Sequence, residues 1–205
     1  MKWNEHIASI WADVLRGCIQ NGDRIVEVAS GGTDKIGRAL SSLSFRGTIY
    51  VVEPESKALF DTMASYRRIL PQCTVVPVCS QLSAFQADYD VLLSNHPLDD
   101  MVAGNFLKPE EFNTFFNDHY DKPIDATKVI WNQSMTKIQE SVRMTVQEMT
   151  DKMSKARLSI ISQYPSYFFT SNGFTKPDDI AHEALTTIRN EMNGLLIRNN
   201  RWIIA

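Results

Sequence analysis

The fold is decided by the stretch Arg24-Ile25-Val26-Glu27-Val28-Ala29-Ser30-Gly31-Gly32-Thr33-Asp34, a helical pattern after it, and then Thr48-Ile49-Tyr50-Val51-Val52-Glu53-Pro54. The first run predicts a buried strand, because it is short, apolar and β-branched and ends at Gly31-Gly32. Thr33 or Asp34 can cap the helix that follows. A second strand is predicted before Glu53. Strand, glycine turn, helix and strand in this order predict a parallel βαβ unit.

The turn after the first strand has the properties of a ligand site. Glycine lets a ligand approach the backbone, and a helix N-terminus favours an anionic group. Glu53 lies 22 residues after Gly31, where an acid can accept hydrogen bonds from both hydroxyls of a ribose. We therefore expect a nucleoside-containing cofactor here. The dinucleotide fingerprint G-x-G-x-x-G fits less well, because Gly31, Gly32 and Gly37 have the wrong spacing.

The composition predicts an ordinary globular protein. The chain has 205 residues, 43% hydrophobic and 22% charged, with a net charge of −3, so we expect a single domain over 1–205 and no nucleic-acid partner. No stretch approaches 18 apolar residues, so no membrane span is expected. Cys18, Cys73 and Cys79 lack metal-site spacing and lie in apolar surroundings. They predict buried thiols of a reducing compartment, hence a cytoplasmic protein without a bound metal.

The remaining segments extend the pattern of strands and helices. Residues 1–20 predict an N-terminal helix, and 55–69 predict another helix. Pro77 places the third strand at an edge of the sheet, because proline lacks the donor that a central strand needs. A fourth and a fifth strand are predicted at 89–94 and 157–162, and 195–204 predicts a terminal hairpin. The fold class is therefore α/β, a doubly wound, mostly parallel sheet.

Residues 101–156 differ from this pattern and predict a helical lid inserted into the fold. The first part carries an aromatic cluster of Phe106, Phe112, Phe115, Phe116 and Tyr120. From 124 to 156 there is neither proline nor glycine, which predicts one long helix. Its apolar residues, beginning with Trp131 and Met135, recur at steps of four and three. This seam either packs on the protein itself or forms a homodimer through 124–156.

This order of elements resembles the class I S-adenosylmethionine-dependent methyltransferases, which have a Rossmann-like sheet and a terminal antiparallel hairpin. The family's motif E/D-x-G-x-G-x-G is matched by Glu27, Ala29, Gly31 and Thr33, so two of its three glycine positions are substituted. Glu53 resembles the family's ribose ligand. The resemblance implies S-adenosylmethionine as cofactor, held by Glu27, Ala29, Ser30, Gly31, Gly32, Thr33, Glu53, Ser80, Gln81 and Asn95.

The resemblance also implies an acceptor site after the fourth strand. Asn95-His96-Pro97-Leu98 is partly similar to the Asn-Pro-Pro-aromatic motif of amino-group methyltransferases, but it lacks the first proline and the aromatic residue. His96 is the expected catalytic base, because an unperturbed pKa of about 6.5 suits proton removal near neutrality. The alternative is that His96 packs under the lid or bonds a backbone carbonyl. The expected catalytic residues are Asn95, His96 and Asp99, and the expected substrate-binding residues are Asp100, Tyr164 and Tyr167.

Several of these residues have a structural alternative. Asp99 and Asp100 either hold a cationic acceptor, such as an amine, or cap a helix that begins nearby. Tyr164 and Tyr167 line the acceptor pocket or simply pack.

The function that follows is transfer of a methyl group to a small-molecule acceptor by direct displacement. Two alternatives remain open. The altered glycine turn is compatible with an enzyme that transfers the aminobutyrate group of the same cofactor. The chain can also be a binding or assembly module that has kept the fold without catalysis.

Overall fold

The computed structural model describes residues 3–107, 124–197 and 201–205. Its helices are α1 (Trp3–Leu15), α2 (Lys35–Ser42), α3 (Ser56–Ile69), α4 (Leu98–Gly104), α5 (Ile124–Trp131), α6 (Met135–Met153), α7 (Tyr167–Ser171) and α8 (Lys176–Met192). Its strands are β1 (Arg24–Val28), β2 (Thr48–Val52), β3 (Thr74–Val78), β4 (Val91–Asn95), β5 (Leu158–Ser162), β6 (Leu195–Ile197) and β7 (Trp202–Ile204).

The described strands form one sheet with the order β3-β2-β1-β4-β5-β7-β6. β1 pairs in parallel with β2 and β4, and β2 pairs in parallel with β3. β7 lies between β5 and β6 and is antiparallel to both. These findings confirm the mostly parallel sheet, the terminal hairpin and the edge position of the strand that contains Pro77.

The chain divides into two compact units, Met1–Asn95 with Lys155–Ser159, and His96–Ser154 with Ile160–Ala205. The single domain and the lid over 101–156 remain predictions, and Phe112, Phe115, Phe116 and Tyr120 lie outside the described residues. Phe106, the described member of that aromatic cluster, is buried.

A buried hydrogen-bond chain joins β1, α2 and α3 in the first unit. Tyr66 Oη donates to Glu27 Oε2 at 2.5 Å and accepts from the backbone N–H of Gly37 at 2.8 Å. Gly37 leaves room for the tyrosine ring, because a Cβ here would lie 2.6 Å from Tyr66 Cζ. Glu27 is 2% exposed. Burial raises the pKa of Glu27 to about 8, although the bond from Tyr66 opposes this rise.

The core of the second unit is formed by α4, α5, α6 and α8. Its buried residues are Val102, Ala103, Phe106, Trp131, Ile138 and Ile180. The ring of Phe106 packs edge-on against Trp131, with centroids 5.6 Å apart. Most of the predicted apolar seam is buried here, since Thr145, Met149 and Met153 of α6 are also buried. The seam thus packs within the chain, and a homodimer through 124–156 stays a prediction.

The prediction of one long helix over 124–156 is wrong, because residues 132–134 separate α5 from α6. Asn132 and Ser134 are short polar residues that compete for backbone hydrogen bonds. The Ser134 side chain accepts from the backbone N–H of Lys137 and caps α6. At the end of α5, Lys176 Nζ donates to the carbonyl of Trp131 at 2.7 Å. These bonds satisfy groups that a continuous helix would pair internally.

Two further expectations concern exposure and the membrane. Cys79 is exposed, and Cys18 and Cys73 are only half-buried, so the expectation of fully buried thiols is wrong. Among the described helices, none combines the length and the apolar character that crossing a membrane requires.

We expect Gly37→Ala to lower the free energy of unfolding by about 1–3 kcal/mol, because the new methyl group would collide with Tyr66. A helical glycine without this neighbour would give the opposite sign, since alanine is the better helix former by about 1 kcal/mol. Urea denaturation measures the difference. Arg38→Ala, at the exposed neighbouring position, is the control and should cost less than about 1 kcal/mol. A stabilised Gly37→Ala variant would contradict the packing described here.

We expect Glu27→Gln to stabilise the protein increasingly as the pH rises from about 4.5 to about 8. The folded pKa of Glu27 lies above its unfolded value, so over this interval the unfolded chain releases a proton that the folded protein retains, and the wild-type protein loses stability as the pH rises. Glutamine keeps the acceptor for Tyr66 but has no charge. Melting temperatures at several pH values measure the difference, with the exposed Glu191→Gln as control. If the wild-type protein and Glu27→Gln had equal melting temperatures at pH 8, the hydrogen bond from Tyr66 would fully compensate the cost of burying the Glu27 carboxyl group.

Candidate functional site

The first unit brings four strand ends to one edge of the sheet. In the parallel register Val28 pairs with Val52 and Ser94, and Val52 pairs with Val78. The residues that follow these strands therefore emerge side by side, as open α/β sheets require of a ligand site at their carboxyl ends. The predicted cofactor residues come from these strands and the segments that follow them.

The turn after β1 has an unusual backbone. Ala29, Gly31 and Gly32 all have positive φ, of 53°, 57° and 70°. This conformation is easy for glycine and costs alanine roughly 1–2 kcal/mol. Ala29 occupies a glycine position of the motif and adopts a positive φ that glycine reaches more easily. A Cβ on Gly32 would lie 3.5 Å from the Cα of Ala58, so the turn lies close to α3.

Side-chain hydrogen bonds hold this turn. The hydroxyls of Ser30 and Thr62 are 2.9 Å apart and buried. Thr33 Oγ1 donates to the carbonyl of Ser30 at 2.9 Å. Ser30 and Thr33 thus fix the turn, and their hydroxyls are already engaged within the protein. Asp34, at the start of α2, binds Arg38 and Ser65.

Glu53 and Gly31 meet directly. The backbone N–H of Gly31 donates to Glu53 Oε2 at 3.0 Å, and the N–H of Glu55 donates to Oε1 at 3.1 Å. The side chain is buried, with the residue 6% exposed, and burial raises its pKa although both backbone bonds oppose the rise. The sequence correctly places the acid beside the turn. It does not predict that the two are hydrogen-bonded to each other instead of separated by room for a sugar.

The other predicted cofactor residues differ in accessibility. Glu27 lies within β1, below the edge of the sheet, and its side chain accepts a hydrogen bond from Tyr66. Ser80 and Gln81 follow β3; Ser80 Oγ donates to the carbonyl of Gln81, and the Gln81 side chain is exposed. Asn95 ends β4, and its Oδ1 accepts from Trp11 Nε1 of α1 at 2.9 Å. α1 therefore reaches the same end of the sheet within the first unit.

The second unit begins with the predicted base. His96 has a positive φ of 62°, a conformation that non-glycine residues rarely adopt and that often marks a functional position. Its Nδ1 lies 3.1 Å from Asp99 Oδ1. Gln163 Nε2 donates to the same oxygen at 3.0 Å, and Gln163 Oε1 accepts from the N–H of Leu98 at 2.9 Å. The four groups form one chain that orients the imidazole.

The charges around this ring favour its protonated form. Burial lowers the pKa of His96, but the contact with Asp99 and the charges of Asp100 and Asp178 outweigh burial and raise it to about 9. The imidazole in turn lowers the pKa of Asp99 despite complete burial. Asp99 thus binds His96 and does not cap α4, whose N-terminal residue Pro97 has no side-chain cap.

The remaining acceptor residues are placed unequally. The ring of Tyr164 packs against His96, with centroids 4.9 Å apart. Asp100 is half-buried in the first turn of α4. Tyr167 is 85% exposed at the start of α7. Only Tyr164 therefore lies against the histidine.

Sequence reasoning missed residues that the structure places at both clusters. Tyr66 and Thr62 bind the first-strand segment from α3, and Gln163 and Asp178 accompany His96. The available signals were weak: Gln163 directly precedes the predicted Tyr164, and Asp178 follows Pro177, a residue type that is common in the first turn of a helix. No group of three His, Cys, Asp or Glu residues within the described part of the chain is arranged to bind a metal ion.

Comparison with known proteins gives no match to a family model and no match to a curated protein sequence. Solved structures do match. Magnesium protoporphyrin IX methyltransferase from Synechocystis PCC 6803, with bound SAH, is 11% identical with a TM-score of 0.56; the match covers 98% of this chain and 80% of that one.

A SAM-dependent methyltransferase from Aquifex aeolicus is 8% identical with a TM-score of 0.53, over 100% of this chain and 97% of that one. At identities this low, the likeness shows the architecture and nothing finer. The fold class predicted from the sequence is confirmed: the chain has the Rossmann-like fold of the class I S-adenosylmethionine-dependent methyltransferases.

Proposed function

We propose that this protein binds S-adenosylmethionine in its first unit and transfers the methyl group to a small-molecule acceptor. The observation that carries the proposal is the meeting of Glu53 with the backbone turn at Gly31, on a sheet whose strand order suits a ligand at this edge. The solved structures that share the fold are methyltransferases, one of them with bound SAH, which supports the same cofactor.

Glu53 has the capacity that ribose binding requires. A carboxylate has about four lone-pair sites, and backbone N–H groups use one on each oxygen. Two ribose hydroxyls would use the others, or one would replace the N–H of Gly31. The remaining contacts of the cofactor would come from the backbone of Ala29, Ser30, Gly32 and Thr33 and from Ser80, Gln81 and Asn95. Glu27 would not contact the cofactor; it would help to hold β1, and with it the turn at Gly31, in position.

The chemistry asked of the protein is modest. The sulfonium supplies an activated methyl group, and the protein aligns the acceptor and excludes water. Alignment alone contributes up to about 7–11 kcal/mol in favourable cases. His96 directly follows Asn95 in the chain, and its ring is oriented by Asp99 and Gln163. We propose that His96 and Asp99 act on the acceptor, with Asp100, Tyr164 and Tyr167 as substrate-binding residues, in a cytoplasmic enzyme.

Transfer of the aminobutyrate group is the competing reaction on this fold. The two reactions leave different by-products, so mass spectrometry of a completed reaction distinguishes them. S-adenosylhomocysteine supports methyl transfer, whereas methylthioadenosine supports the alternative. A binding module that has kept the fold without catalysis is the second alternative.

We expect Glu53→Ala to weaken binding of S-adenosylmethionine by about 1–3 kcal/mol, the scale of a lost hydrogen bond to a charged group. Glu53→Gln should also weaken binding, because its amide cannot accept bonds on both sides. Isothermal titration calorimetry measures both. Asp88→Ala, at an exposed acid with a side chain 91% accessible, is the control and should leave the affinity unchanged.

Folding must be checked in parallel, since Glu53 also binds two backbone N–H groups. Circular dichroism and melting temperature show whether each variant keeps its fold. A folded Glu53→Ala variant with unchanged affinity would remove Glu53 from the site. Absence of binding to the wild-type protein at millimolar cofactor would favour the non-catalytic module.

A further inference from the structure

Three buried side-chain atoms in the second unit have no hydrogen-bond partner among the described residues: His96 Nε2, Asp178 Oδ2 and His182 Nδ1. A buried polar atom left unpaired is costly, so each marks a place for water, an ion or a ligand. Two of them belong to residues whose charges act on each other, His96 and Asp178.

The chain of bonds around His96 determines which atom faces a ligand. Nδ1 is directed to Asp99, whose carboxylate is in turn held by Gln163. The proton on Nδ1 is therefore fixed by this contact, as in other histidines oriented by a carboxylate. Nε2 remains to exchange a proton or a hydrogen bond with a bound molecule.

Asp178 is prepared in a similar way. It lies in the first turn of α8 and is 5% exposed. Its Oδ1 accepts from the backbone N–H of Ser166 at 2.9 Å, which orients the carboxyl group and leaves Oδ2. Burial raises its pKa, and among the described residues no cation lies within ion-pair distance of it. A buried carboxylate of this kind is stabilised by a cation that brings N–H donors.

The sign of the surrounding charge favours a cationic ligand. The carboxylates of Asp99 and Asp100 on α4 and of Asp178 on α8 all act on His96. Arg201 also acts on Asp178, and the phenol ring of Tyr164 packs against the imidazole. Three carboxylates thus face one imidazole and one guanidinium. An anionic acceptor would meet a net negative field, whereas an ammonium group is attracted.

We propose that the acceptor is an amine, bound as an ammonium group that donates to Asp178 Oδ2 and to Nε2 of His96, after the protonated resting imidazole has released its Nε2 proton to solvent. This assignment rests on the proposed methyl transfer. The ammonium gives one proton to Nε2, and the freed nitrogen pair attacks the methyl carbon. A C–N bond forms, the C–S bond breaks with its electron pair on sulfur, and the proton on His96 passes to solvent. Asp178 is then an acceptor-binding residue.

Benzylamine, benzyl alcohol and benzoate make a matched series of probes, since they share a ring and differ in the charge of the polar group. Protein whose histidines carry ¹⁵N is titrated with each probe and followed by NMR. The signals of His96 are identified by their absence in the His96→Gln variant. We expect benzylamine to shift the Nε2 resonance of His96 and the other two probes to shift it at least tenfold less at equal concentration.

The matched variants are Asp178→Asn and Asp179→Asn. Asparagine at 178 still accepts from Ser166 but lacks the charge, so the affinity for benzylamine should fall by about tenfold or more. Asp179 is exposed and neighbours Asp178 in sequence, so its variant should bind benzylamine as the wild type does. If Asp178→Asn does not fold, as judged by its melting temperature, the comparison of the three probes on the wild-type protein still decides.

Benzoate or benzyl alcohol binding as tightly as benzylamine would overturn the proposal, and so would unchanged binding by folded Asp178→Asn. These measurements need no cofactor, so they can succeed or fail separately from the Glu53 titrations. Incubation of wild-type protein with S-adenosylmethionine and benzylamine tests whether the bound amine is methylated. N-methylbenzylamine in the product supports the proposal; methylation of benzoate in place of benzylamine would contradict it while leaving methyl transfer intact.

Discussion

The parallel register of β1 is the constraint on which the rest of the first unit depends. Val28 faces Val52 on one side and Ser94 on the other, so three strands end at the same level. Ser94 strengthens this alignment, because its hydroxyl donates to the carbonyl of Val28 at 2.7 Å in the buried interior. The turn at Gly31 and the acid at Glu53 are neighbours for this reason. A shift of one residue would move the carboxylate to the other face of the sheet.

Beneath this edge, the first unit keeps an acid where a purely apolar core would be more stable. Glu27 is buried against Tyr66, whose hydroxyl also accepts from Gly37. The three groups connect the strand to both helices that follow it. Burying an ionisable group is costly unless its hydrogen bonds are made. The network therefore couples the position of β1, and with it the turn at Gly31, to the protonation of one carboxyl group.

The second unit also buries ionisable groups in a hydrogen-bond network, but here the network favours their charged forms. His96 and Asp99 stabilise each other's charged forms, and Gln163 holds the carboxylate. The strained backbone of His96 is maintained by its N–H, which donates to the carbonyl of Ser162 at 2.7 Å. Nε2 and Asp178 Oδ2 nevertheless lack partners among the residues described. One network is satisfied internally and orients a strand, whereas the other ends in atoms that a ligand would complete.

The sequence by itself determined the strands, their parallel order and the chemistry of the strand ends, because apolar runs, glycine turns and proline are local signals. It placed Glu53 beside Gly31 and Pro77 at an edge for the same reason. Only the tertiary structure decided that Tyr66 would donate a hydrogen bond to Glu27 and that α8 would bring Asp178 near His96. Both partners come from helices that are distant in the sequence. The break at residues 132–134 was not predicted, because neither proline nor glycine marks it. Side-chain partners are selected by how helices pack, and a sequence pattern specifies which face packs but not which groups meet there.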